Sequence, residues 1–208
     1  MTIYQYVFAA GFIVFLFSSI FKIFKVVSAG TSDDPSKPIG KIGPAIIYSF
    51  TGAMSPNKKE SAYLHFPTYI AGIIFHIGTF IVFLWAVVNF FNINIFPFLI
   101  YAFFIFLLIS FACGLSIFIK RLFNQKLRSI SNLDDFISNL IVTGIHAFAV
   151  ITLMQNSFVP YLFIYSGLLF VYIPMSKLRH SIYFFPARAQ LGIFYGRRGV
   201  WPNKYKHI

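Results

Sequence analysis

The sequence is poor in acidic residues and contains a single cysteine. Asp and Glu number 5 among 208 residues, against 17 Lys and Arg, which gives a formal net charge of +12. Because Cys113 is alone, a disulfide framework or a thiolate-held cluster within this chain is excluded. Cys113 stands in an apolar stretch, which favours a small packing residue.

Charged residues of either sign are missing from long stretches of the chain. Hydrophobic residues make up 58% of the sequence and charged residues 11%, which is not typical of a soluble domain. A basic chain can bind nucleic acid, but no recognisable reader module accompanies these cations. The sequence therefore predicts an all-α membrane protein, a single domain over residues 1–208, without a nucleic-acid partner.

Apolar runs divide the chain into five predicted spans, since about 20 apolar residues cross a bilayer as a helix. The spans are predicted at residues 3–21, 62–90, 97–119, 135–154 and 160–176, followed by a basic tail at 177–208. Ser55-Pro56 suits a helix start, so the second helix is expected to begin before the membrane. Pro67 is then expected to kink it, because proline donates no backbone hydrogen bond.

The basic residues all lie on one side of this five-span arrangement. All 17 fall within residues 22–60, 120–135 or the tail, whereas the turns on the other side are uncharged. The positive-inside rule then places the amino terminus outside and the carboxyl terminus in the cytoplasm. This pattern predicts a multi-pass protein of the cell inner membrane.

Two histidines of the second span carry the strongest functional signal. His65 and His76 are eleven residues apart, so at ~100° and ~1.5 Å per residue they share one face and stand roughly 16 Å apart. Gly72 lies on the same stripe. Ionisable groups inside a membrane are costly and usually functional, so these histidines are expected to have partners.

Two other histidines match these depths. His180 is expected near the inner surface beside His65, and His146 lies in the fourth span at a depth close to that of His76. Paired imidazoles at two depths are what two bis-histidine b-type haems require. His207, in the tail, is expected to be a solvated residue.

Glycines and one arginine complete the predicted haem sites. Gly72, Gly78 and Gly144 are candidates for close approach of a porphyrin, and Arg179 could pair with a haem propionate. The histidines could instead hydrogen-bond between helices, and the glycines could serve helix packing alone. A zinc or di-iron site is disfavoured, since no histidines are spaced by three or four and no intramembrane carboxylate accompanies them.

Several short motifs resemble the b-type cytochrome subunits of the respiratory nitrate reductase gamma family, including those of heterodisulfide reductase and sulfite-reduction complexes. The resemblance covers roughly residues 50–200 and rests on these motifs: Ser55-Pro56, Lys58-Lys59-Glu60-Ser61, His65, Phe75-His76, Arg179-His180 and Gly196-Arg197-Arg198-Gly199. It implies two haems b, electron exchange with a membrane quinone, and an iron–sulfur partner on the cytoplasmic face. In the nitrate reductase pattern the second ligand pair lies on the last helix, whereas His146 is on the fourth.

Two further expectations concern alternatives and partners. The chain could instead be a non-haem membrane anchor or small transporter whose intramembrane histidines bind protons or substrate. The short apolar run 45–50 is too brief to span and is expected to lie in the interface or contact a partner with an acidic rim. Arg197 and Arg198 are expected to join that docking surface or to contact anionic membrane lipid.

Overall fold

The fold is helical throughout the part of the chain that the computed structural model describes, namely residues 1–30, 37–58, 62 and 64–202. These ranges contain α-helices and short 3-10 turns and no β-strand. The predicted all-α fold is therefore confirmed. His207 and the segment Lys59-Glu60-Ser61 lie outside the described residues.

The structure gives the bounds of eight α-helices. In chain order they are α1 (Ile3–Ser28), α2 (Ile42–Phe50), α3 (Phe66–Phe90), α4 (Pro97–Phe123), α5 (Gln125–Ser129), α6 (Leu133–Met154), α7 (Val159–Tyr172) and α8 (His180–Arg197). Short 3-10 turns at Gly52–Met54, Pro56–Lys58, Asn156–Phe158 and Lys177–Arg179 connect some of them.

Four of these helices, α1, α3, α4 and α6, are long and apolar enough to cross a membrane. A fifth span results if α7 and α8 count as one interrupted span. Alone, α7 has 14 residues, fewer than the roughly 20 that a bilayer requires. The chain is thus a multi-pass membrane protein with four or five spans.

The start of α3 differs from the expectation. Ser55-Pro56 leads into the 3-10 turn Pro56–Lys58, and α3 begins at Phe66. Pro67 therefore lies in the first helical turn, where its missing N–H breaks no intrahelical bond. Residues 59–61 and 63, through which the expected longer helix would run, lie outside the described residues, so the kink expected at Pro67 stays a prediction.

Contacts divide the chain into two compact units. The first unit comprises Met1–Ser18 and Pro67–Leu178, and the second comprises Ser19–Phe66 and Arg179–Ile208. Most of α1, α3 from Pro67 onward and all of α4 to α7 belong to the first unit. The second unit contains the end of α1 together with α2 and α8.

An ionic network at the start of α6 connects several elements of the first unit. Asn132 and Asp135 form a capping box there, each side chain accepting from the other's backbone N–H. Asp135 Oδ1 also lies 3.0 Å from Arg121 Nη1 and 2.6 Å from Lys177 Nζ. One carboxylate therefore connects the end of α4 and the segment after α7 to α6.

The second unit is built on close packing of α2 against α8. A Cβ on Gly192 would lie 2.5 Å from Ile46 Cα, and one on Gly196 would lie 2.6 Å from Ala45 Cβ. Ser49 Oγ donates to the carbonyl oxygen of Arg188 at 2.8 Å. The buried side of the apolar run 45–50 therefore contacts α8 of the same chain.

Candidate functional site

His146 lies in the packed interior of the first unit. Its exposed fraction is 0%, although it stands in a spanning helix. Nδ1 donates to the carbonyl oxygen of Val142 at 2.6 Å, one turn earlier in α6. A carbonyl only accepts, so Nδ1 carries the proton, and in the neutral ring Nε2 holds the lone pair that could bind a metal.

Two residues of α3 close the space around this ring. Phe75 stacks on His146 with the ring centroids 4.8 Å apart and an interplanar angle of 22°. His146 Nε2 lies 2.9 Å from the point that a Cβ on Gly78 would occupy. Ser110 of α4 reaches the same point, and its Oγ donates to the carbonyl oxygen of Ile74 at 3.2 Å. The three helices α3, α4 and α6 therefore meet directly at His146.

The same side of α3 remains buried toward its carboxyl end. Val82 and Ala86 have exposed fractions of 0%. Trp85 Nε1 donates to Thr152 Oγ1 of α6 at 2.9 Å. We call this side, defined by Phe75, Gly78, Val82, Trp85 and Ala86, the closed face of α3.

His76 lies on a different side of the same helix. It follows Phe75 by about 100° of rotation and is about 160° from Gly78, and its side chain is exposed. A Cβ on Gly72, one turn earlier, would meet nothing within 4 Å. Gly72, Ile73, His76, Ile77 and Phe80 define the open face of α3, whose three apolar side chains are all exposed.

The three glycines predicted to admit a porphyrin differ in the space beside them. Gly78 is filled by Ser110 and His146, as described above. A Cβ on Gly144 would lie 2.5 Å from the hydroxyl oxygen of Tyr165, which donates to the carbonyl oxygen of Ile141. Gly72 alone of the three has free space, so Gly78 and Gly144 serve helix packing.

This geometry limits where a haem could fit in the first unit. A porphyrin coordinated by His146 Nε2 would have to occupy the place where Gly78 and Ser110 already touch the ring. The closed face therefore has no room for a porphyrin. His146 of α6 packs against the closed face, whereas His76 of α3 lies on the open face. The open face, with an exposed imidazole and the space beside Gly72, has both the ligand type and the room that a haem needs.

The remaining predicted site residues, His65, Arg179 and His180, belong to the second unit. His65 is in the turn before α3, and its side chain is exposed. Arg179 ends the 3-10 turn Lys177–Arg179, and His180 is the first residue of α8. Both are exposed. Among the described residues, no group of three or more His, Cys, Asp or Glu side chains is placed to hold a metal ion.

Sequence reasoning missed the residues that close the space around His146. Ser110 and Gly114 are four residues apart on α4, and both are buried against α3 or α6. Small residues at this spacing favour close approach of membrane helices. That signal was present in the sequence and would have indicated that α4 packs where the deep haem was expected.

Comparisons of the chain with models of protein families, with curated proteins and with solved structures find no match. The chemistry of the site is therefore inferred from its own residues. On one face of α3 the imidazole of His76 is exposed, one turn from the open space at Gly72. At the opposite face the imidazole of His146 is buried.

Proposed function

We propose that the chain is a membrane-embedded electron-transfer subunit that holds b-type haem, with His76 as an axial ligand on the open face of α3. The observation that carries this proposal is the pairing of the exposed His76 with the unfilled space at Gly72, one turn away on the same side. When bound, haem supplies one-electron transfer.

The side chains of the open face suit this role. Imidazole nitrogen is the axial donor of b-type haems. Because Gly72 has no side chain, a flat ring can approach the helix backbone beside His76. The exposed Ile73, Ile77 and Phe80 surround that place with apolar surface, which excludes water from the bound group.

The other histidines take separate roles under this proposal. His146 is a packing residue and does not ligate iron, because α3 and α4 occupy the space at its Nε2. His65 and His180 stay the predicted ligands of a haem near the basic side of the membrane. Arg179 precedes His180 in the chain and is the predicted partner of a haem propionate.

Electron partners and orientation follow from the resemblance and from charge. The subunit would exchange electrons between a membrane quinone and a cytoplasmic iron–sulfur protein. The distribution of basic residues supports an outside amino terminus in the cell inner membrane.

An absorbance difference spectrum tests the proposed function. The full chain, purified from membranes in mild detergent, should show a reduced-minus-oxidised band of b-type haem. Absence of any haem band in protein expressed under haem-replete conditions would contradict the proposal and leave the non-haem anchor or transporter.

A further inference from the structure

A groove with a volume of about 430 Å³ runs between α6 and α7. One wall is the face of α7 from Tyr161 to Tyr172, and the other contains Ile141 and Phe148 of α6. All of these residues belong to the first unit, which lies wholly within the described part of the chain. We call this space the α6–α7 groove.

The groove lies at membrane depth and has an exposed rim and a half-buried floor. Ile141 and Phe148 are within the spanning helix α6. At the rim, Tyr161 is 55% exposed and Leu168 is 63% exposed. At the floor, Phe148 and Tyr165 are half-buried, with ring centroids 5.4 Å apart. The groove is therefore open to the hydrocarbon that surrounds a spanning helix.

The polar groups of the groove are bonded within the protein. The hydroxyl of Tyr165 donates to the carbonyl oxygen of Ile141 at 2.9 Å, and that of Tyr172 donates to Asp134 Oδ1 at 2.6 Å. None of the described residues that line the groove is charged. An apolar cavity of this kind binds an apolar ligand.

The width of the groove indicates which apolar ligand fits. Tyr161 and Tyr172 are eleven residues apart, so the lining extends about 16 Å along α7. Over that length, the volume corresponds to a mean cross-section of about 27 Å². An α-helix about 10 Å in diameter has a cross-section of about 80 Å², which excludes a helix of a partner or a second copy. Carbon atoms pack at about 4 Å, so a single hydrocarbon chain is narrow enough.

We propose that the α6–α7 groove binds one acyl chain of a membrane lipid, lying along α7 with its methylene groups on Phe148 and Tyr165. Lipid is the hydrocarbon source that surrounds this part of α6 and α7 in the membrane. Segments 31–36, 59–61 and 203–208 of the chain carry charged side chains, and charge in an apolar groove at this depth is costly. The lipid site does not depend on the proposed haem.

Native mass spectrometry of the delipidated full chain in mild detergent tests the site. Titration with dioleoylphosphatidylcholine, which has no net charge, should show one lipid that binds more tightly than those that follow. Ile164→Trp enlarges a half-buried side chain of the groove. It should weaken the first binding step by about tenfold or more, since two buried methylene groups already contribute that factor. Leu168→Trp, at the exposed rim, should also weaken it and keeps the test available if Ile164→Trp fails to fold.

A matched control places the same side chain on another helix. Ile109 of α4 is 48% exposed and does not line the groove, so Ile109→Trp should retain the tightly bound lipid. Retention by both groove variants would overturn the proposal, as would an equal loss in Ile109→Trp. A dimer of the unsubstituted protein that both groove variants abolish would assign the groove to a second copy and would overturn it as well.

Photo-cross-linking in vesicles gives the position of the chain. Phosphatidylcholine with a diazirine in one acyl chain labels the residues that it contacts, and peptide mass spectrometry identifies them. Phe148 and Tyr165 should be labelled severalfold less in Leu168→Trp than in the unsubstituted protein. Ile109 reports on bulk lipid and should be labelled equally in both. Equal labelling of Phe148 and Tyr165 in the two proteins would contradict a bound chain in the groove.

Discussion

The two faces of α3 present similar residue types to different surroundings. The closed face places Gly78 against His146 and Ser110, whereas the open face places Gly72 and the exposed His76 beside free space. A glycine of α3 lies near a histidine at both faces, His146 of α6 at the closed face and His76 of α3 itself at the open face. Only the open face has room for a ligand, so the space beside a histidine, and not its depth alone, indicates which imidazole can bind a cofactor.

The largest effect is expected from enlarging the two glycines. Gly78→Leu should prevent folding, because even a Cβ meets Ser110 and His146, and overpacking by a few atoms already costs about 1–3 kcal/mol. Gly72→Leu should fold normally, since its Cβ meets nothing within 4 Å, but should lower the haem content. Folding is measured by monodispersity and helical circular dichroism in detergent. Normal folding of Gly78→Leu would contradict the closed face.

The second largest effect is expected from removing the two imidazoles, which should change the free energy of unfolding by different amounts. His146→Ala leaves a cavity beside Phe75 and should lower the free energy of unfolding by roughly 2–5 kcal/mol. His76→Ala should lower it by less than His146→Ala does, because the His76 side chain is exposed and its removal leaves no buried cavity. Denaturation with sodium dodecyl sulfate in mixed micelles, on protein without haem, measures both. Equal destabilisation would show that the two histidines have similar surroundings.

A smaller effect is expected at the far end of the closed face. Trp85→Phe removes the hydrogen bond to Thr152 and should lower the free energy of unfolding by about 1 kcal/mol. Leu84→Phe is the matched control, since Leu84 is half exposed on the same helix and should tolerate a larger side chain. The same denaturation measurement applies, and a larger loss in Leu84→Phe would place that side of α3 in a packed interface.

The sequence was sufficient for the helical membrane fold because the length of an apolar run reports directly on the thickness of the bilayer. The ends of α3 were less predictable. Pro67 was expected to kink a helix that in fact begins at Phe66, because proline suits a first turn as well as a bend.

The surroundings of the two histidines could not be predicted from the sequence as readily as their positions along the helices. Position along a helix follows from residue number, so His76 and His146 were expected at similar depths. Which neighbour each ring meets depends on how α4 packs against α3 and α6. That packing rests on Ser110 and Gly114, whose small size permits the close approach of the helices.

The most direct test of the central claim replaces each histidine of the first unit by the same residue. Phenylalanine retains an aromatic ring and removes the ligating nitrogen, so the stack on Phe75 can persist in His146→Phe. Haem per polypeptide is measured by the pyridine haemochrome assay on purified full-length protein, with redox titration of the remaining haem. His146→Phe should keep the haem content and titration of the unsubstituted protein, whereas His76→Phe should lose a b-type component. Loss of haem in His146→Phe with retention in His76→Phe would contradict the account.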